Sequence, residues 1–183
     1  MTVSLELLSR GPARPDLVED LVAAEADLSA TLARWSAPAP VPVRSDPDLG
    51  LPSLDAVATV LADGTPALVD VAPGLADDDA AGEQLVQMLI AAAHSGVGFG
   101  SGLVPRAADA GQVWALLAGA VAAMTGRDVR AALSDPDPGA LLGLNRSARE
   151  AVRDVVTCVA VPAADVDRVV SDLAGSAPSG NAG

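Results

Sequence analysis

Lysine and tyrosine are missing from this chain of 183 residues, and cysteine, histidine and phenylalanine occur once each. Each scarcity removes a kind of chemistry. With Cys158 as the single thiol, an intramolecular disulfide and a metal site of cysteines alone are both excluded. His94 is the only imidazole, so a catalytic dyad must combine it with Ser95, Ser101, Asp109 or Cys158, and no spacing singles out a partner. The aromatic residues are Trp35, Phe99 and Trp114, which leaves the core to Ala, Val and Leu; such a core packs helices closely but gains less from each buried side chain. Long apolar runs are lacking too, and none approaches the ~20 residues of a membrane-spanning helix. Residues 1–10 place Glu6 inside a short apolar patch, without the basic start and apolar run of a signal peptide. A cytoplasmic protein is expected.

Acid is what the chain has in excess. Against 11 basic residues, all arginine, stand 24 acidic ones, and the net charge is −13. That surface repels phosphate backbones and anionic headgroups, so nucleic acid and membranes are disfavoured as partners and a protein with a basic surface is favoured.

The organising stretch is residues 54–94. Ala56 to Leu61 and Ala67 to Val71 are short β-branched runs on either side of Asp63-Gly64, a pair suited to a tight reversal, and this predicts a β-hairpin. Pro73-Gly74 breaks the second run. Asp77, Asp78 and Asp79 then offer negative charge to a helix start, and Leu85, Met88, Leu89 and Ala92 form the stripe of a helix ending at His94-Ser95-Gly96. The fold expected is α+β, mostly helical, with a small antiparallel hairpin or sheet packed against several helices.

Around this stretch, residues 1–35 read as an N-terminal helical segment. Pro15 suits a first helical position, and Leu17, Leu21, Leu28 and Trp35 repeat at helical spacing as a seam for the hairpin or for a partner copy. Residues 36–52 carry five prolines and read as a linker. An α+β domain fills residues 53–175, and residues 176–183 read as a disordered tail. Within that domain a helix is expected to open at Pro105 and close at Gly126, Asp135 to Gly139 form a turn, and a helix begins near Asn145 with Ser147 and Glu150 at capping-box spacing. Val155 to Val161 fit a strand or the continuation of that helix.

Gly96, Gly98, Gly100, Ser101 and Gly102 form the one cluster that brings backbone close to a ligand such as a phosphate. It follows a helix rather than a strand and lacks a P-loop lysine, so a hinge explains it more simply. His94 suits a helix C-terminus, Cys158 a buried core position, and Asp77 to Asp79 a helix start rather than a calcium loop. Arg146, Arg149 and Arg153 share one helical face, where Glu150 and Asp154 are natural ion partners. No catalytic set, metal or cofactor is called for.

The helix of residues 15–35, the stretch "VATVLADGTPALVDVAPG" and the helix "DDDAAGEQLVQMLIAAAHSG" together resemble the YbaB/EbfC family over residues 15–96. The resemblance implies a homodimer, and either a nucleoid-type DNA binder or an acidic relative linked to specialised secretion. The chain departs from the family in its charge and in the length beyond Gly96. Three functions are therefore in view: a non-enzymatic, dimeric accessory or chaperone-like protein acting through protein contacts, a DNA binder, and a small-ligand or nucleotide binder using residues 96–102.

Overall fold

The structure, a computed structural model, describes residues 16–35, 38–43, 53–70, 79–94 and 102–176. Five short strands occur among them: β1 (Val22–Ala24), β2 (Val41–Pro42), β3 (Ala67–Val69), β4 (Leu103–Pro105) and β5 (Val159–Val161). The helices are α1 (Leu28–Ala33), α2 (Leu54–Ala62), α3 (Asp79–His94), α4 (Ala110–Thr125), α5 (Val129–Ser134), α6 (Pro138–Leu142), α7 (Arg146–Val155) and α8 (Val166–Gly175). Strands β2, β3 and β4 form one parallel sheet, and β5 and β1 form a second. Parallel bridges Leu103 to Val156 and Arg106 to Ala160 join them, giving the order β2-β3-β4-β5-β1.

This order explains the layers. From β2 to β5 the chain advances one place at a time in one direction, and right-handed crossovers then put every connecting helix on one face. From β1 to β2 it travels back across the whole sheet, so the helix between them belongs on the other face. Core membership agrees. Val57 and Leu61 of α2, Leu89 of α3, Leu117 of α4, Val152 of α7 and Leu173 of α8 pack in one cluster with Val22, Val69, Leu103 and Val159. Leu28 and Leu32 of α1 pack in a separate one with Ala23, Leu68, Val104, Cys158 and Ala160.

The expected antiparallel hairpin is not there. Residues 54–62 are helix α2, because Val57 and Leu61 stand one turn apart and are buried together, and the Thr59 hydroxyl donates to the Asp55 carbonyl at 2.7 Å as a helical threonine does. Asp63-Gly64 does reverse the chain, with Gly64 at φ 73°, but as the C-terminal cap of α2: its amide donates to the Leu61 carbonyl at 3.0 Å and that of Thr65 to Val60 at 3.3 Å. Of the described residues of the second run, 67–69 are strand, and their neighbours β2 and β4 are both parallel to them.

The expected helix over residues 15–35 is likewise replaced by a turn, β1, a 3-10 turn at Glu25–Asp27 and the short α1. Asp20 breaks the helix at φ 52°, and Val22–Ala24 find a strand partner in β5. The segment read as a linker contributes β2; the Val41 amide within it and the Val43 amide just after it donate to the Pro66 and Leu68 carbonyls at 2.9 and 3.0 Å. Pro42 between them takes the outward-facing amide position. Downstream, Pro105 ends a strand instead of opening a helix, and Asp109 caps α4. The cap of α7 is Asn145 rather than Ser147, its side chain accepting from the Ala148 amide at 2.9 Å. Of the run 155–161, Val155 ends α7 and Val159–Val161 are β5. Residues 177–183 lie outside the described residues. Among those described, no helix is long and apolar enough to cross a membrane.

Candidate functional site at the carboxyl edge

A helix that follows a strand of a parallel sheet begins at the sheet's carboxyl edge. Here α1, α2, α3, α4 and α8 do so, and helix starts select acids, which satisfy or complement the unpaired first-turn amides. Asp27, Asp109 and Asp165 are the N-cap residues of α1, α4 and α8, and Asp55 lies in the first turn of α2. Two further acids leave strands directly: Glu25 after β1 and Asp70 after β3. Topology thus gathers on one edge acids that are scattered along the sequence.

Two arginines stand among them. Arg106, the residue after β4, reaches Glu25 with one guanidinium nitrogen at 2.7 Å and Asp70 with the other, so that the ends of three strands are tied through one side chain. All three groups keep contact with water, at 40% exposure for Arg106, 59% for Glu25 and 52% for Asp70. Arg168 of α8 donates to the Ala108 carbonyl at 3.0 Å and to Asp165 at 2.9 Å. The Asp165 hydrogen bond leads the forces that hold its guanidinium above the ordinary value and firmly protonated. At α4, Asp109 accepts from the Gln112 amide at 2.8 Å while the Gln112 side chain accepts from the Ala108 amide at 2.7 Å, so that helix start is closed by its own side chains.

This is the edge at which open parallel sheets bind ligands, beside the point where connections change face. That point lies between β5 and β1, since β5 leads to α8 on one face and β1 to α1 on the other. Glu25 and Asp165 flank it. A reading of sequence alone passes over Glu25, Asp70 and Arg106, although each follows a short apolar triplet as the first charged residue (Val-Ala-Ala-Glu, Ala-Leu-Val-Asp, Leu-Val-Pro-Arg).

The residues singled out from sequence lie elsewhere. Gly96, Gly98, Gly100 and Ser101 fall outside the described residues. Gly102 sits where β4 begins, at the opposite, amino edge, and a Cβ there would lie 2.3 Å from both the Asp154 carbonyl and the Thr157 hydroxyl oxygen. Its missing side chain serves the close approach of β4 to the end of α7. His94 ends α3 with Nδ1 2.8 Å from the Ile90 carbonyl; it ends the helix leading to the amino edge, whereas Asp109 stands at the carboxyl edge. Cys158 is buried against α1. Leu17, Leu21 and Leu28 are 0, 0 and 3% exposed, so the seam expected to meet a partner is used by the chain's own core, with Trp35 half-buried beside it. Among the described residues no three His, Cys, Asp or Glu side chains are grouped as metal ligands.

The arginine row of α7 divides its work. Arg146 pairs with Glu150 at 3.0 Å. Arg149 binds the Leu142 and Leu144 carbonyls at 2.7 and 2.8 Å and Asp16 at 3.0 Å. Arg153, 1% exposed, donates to the carbonyls of Leu17, Glu19, Asp20 and Thr157 at 3.1, 2.9, 3.4 and 3.2 Å. These contacts fix the turn before β1 at the amino edge.

Compared with protein-family models, with curated proteins and with solved structures, the chain matches none. What the fold defines is a class: a mostly helical α/β protein on short parallel strands, with a group of acidic residues at their carboxyl ends.

Proposed function

We propose that this chain is a non-enzymatic accessory protein that holds a protein partner of basic surface against the carboxyl edge of its sheet. The observation that carries the reading is the convergence of Glu25, Asp27, Asp55, Asp70, Asp109 and Asp165 on that edge. Attraction between such a rim and Lys- or Arg-rich segments speeds encounter and is screened by salt. The test is fluorescence anisotropy with a labelled arginine-rich peptide. Binding should weaken roughly tenfold or more between about 0.05 and 0.3 M salt and fall sharply in a Glu25→Gln/Asp27→Asn/Asp70→Asn variant. Unchanged binding in that variant overturns the reading, as does salt-sensitive retardation of duplex DNA with no peptide binding, the outcome expected of a nucleoid protein.

The accompanying expectation of a homodimer now rests on apolar side chains that face outward, Val41, Leu54, Met124 and Val170, at 43, 37, 39 and 47% exposure. Light scattering that shows only monomer at high micromolar concentration removes it.

A further inference from the structure

The contact between β4 and β5 is unlike the other strand pairings. Only Leu103 to Val156 and Arg106 to Ala160 form bridges; between them stand Val104 and Pro105 on one strand, and Thr157, Cys158 and Val159 on the other. The strands are out of step by one residue, as at a bulge. The Leu103 carbonyl accepts from the Thr157 amide and the Ala107 amide donates to the Ala160 carbonyl, both at 2.9 Å, so odd-numbered residues of this segment face β5. Pro105 falls in that phase and has no N–H to give. The sheet is therefore two ladders that meet along a seam.

The two ends of the seam are closed differently. At the amino edge Gly102 lies against the Asp154 and Val155 carbonyls and the Thr157 hydroxyl, and nothing there can part without unpacking main chain. At the carboxyl edge, besides the apolar core that the two ladders share, the polar closures among the described residues include the Ala107 to Ala160 hydrogen bond, the Arg168 hydrogen bond to Ala108, and the exposed ion pair of Arg106 with Glu25. Glu25 belongs to the β5-β1 side of the seam, whereas Asp70 and Arg106 both belong to the β2-β3-β4 side.

We propose that this seam is a hinge opening at the carboxyl edge, with the Arg106 to Glu25 ion pair as its latch and Asp70 as the rest to which Arg106 retires when the latch is open. Opening frees the Ala107 N–H and the Ala160 C=O beside the acidic rim, one main-chain donor and one acceptor for an extended segment. An incoming guanidinium that takes Glu25 releases the latch; this last step alone rests on the proposed function.

Amide exchange followed by NMR on the full chain, with no partner present, tests the hinge. In Glu25→Gln, which leaves the sequence around Ala107 untouched, the Ala107 amide should exchange about fivefold faster while that of Thr157, at the pinned end, keeps its rate. Asp70→Asn, which removes a pair that does not cross the seam, should leave Ala107 close to the wild-type rate. Raising salt on the wild-type chain from about 0.05 to about 0.5 M should act in the direction of Glu25→Gln, so the test survives a poorly folding variant. Equal acceleration at Ala107 and Thr157, equal effects of the two substitutions, or no acceleration at Ala107 overturns the hinge. Peptide binding that fails while Ala107 responds as described overturns the partner and leaves the hinge standing.

Discussion

At the amino edge Arg153 is 1% exposed and gives its guanidinium protons to main-chain carbonyls; at the carboxyl edge Arg106 is 40% exposed and gives them to two carboxylates. The same side chain does opposite work at the two places. Carbonyl oxygens carry no net charge, and a contact sealed from solvent is poorly screened, so the Arg153 contacts keep their strength as salt changes. Exposed ion pairs are screened by dissolved salt, so the carboxyl edge responds to its surroundings. One edge is built to stay, the other to answer.

Substitutions sharpen the contrast. The largest loss is expected for Arg153→Ala, which leaves the carbonyls of Leu17, Glu19, Asp20 and Thr157 short of donors inside the protein; denaturant unfolding should show a loss of about 3 kcal/mol, nearly the same at low and high salt. Gly102→Ala comes next, because its methyl meets main-chain oxygen of Asp154 rather than a movable side chain; about 2 kcal/mol is expected by the same measurement. Arg106→Ala should cost less than about 1 kcal/mol, and that cost should shrink as salt is added. If the salt dependence attends Arg153 instead of Arg106, the contrast between the edges is wrong.

The smallest effect is one of pH. Glu83 of α3 is held below the ordinary carboxylate value, first by the hydrogen bond from the Gln87 side chain and then by that from Arg130. A carboxyl lowered in the folded state favours folding above its unfolded value, and that contribution disappears as pH falls through the folded value. Acid titration of stability should therefore be slightly steeper for the wild type than for Glu83→Gln below about pH 5. A Glu83→Gln curve that coincides with the wild type across the acid range shows that the contacts contribute nothing.

How much of this was legible from residues follows physical lines. Helix α3 and the end of α4 lie close to where apolar spacing and Gly126 place them, since long periodic stripes with caps carry their own signal. The Asp63-Gly64 reversal was legible as a turn but not as a helix cap, because a left-handed glycine closes either element and only the packing of Val57 against Leu61 decides. Strands of three residues, VAA, ALV and LVP, are too short to show a period. Their parallel pairing is set by distant chain segments, as when Val22 meets Val159, and no local pattern records it. The candidate site was missed for the same reason: Glu25, Asp70 and Arg106 become neighbours only once the order of the strands is known.

The outward place of Pro42 in β2 bears on growth. A second chain approaching that flank finds a ring where it needs a donor, so stacking of copies into a continuous ribbon is refused on that side by one residue's chemistry. Among the described residues no strand pairs with the outer side of β2, and Pro42 keeps that side from becoming a template.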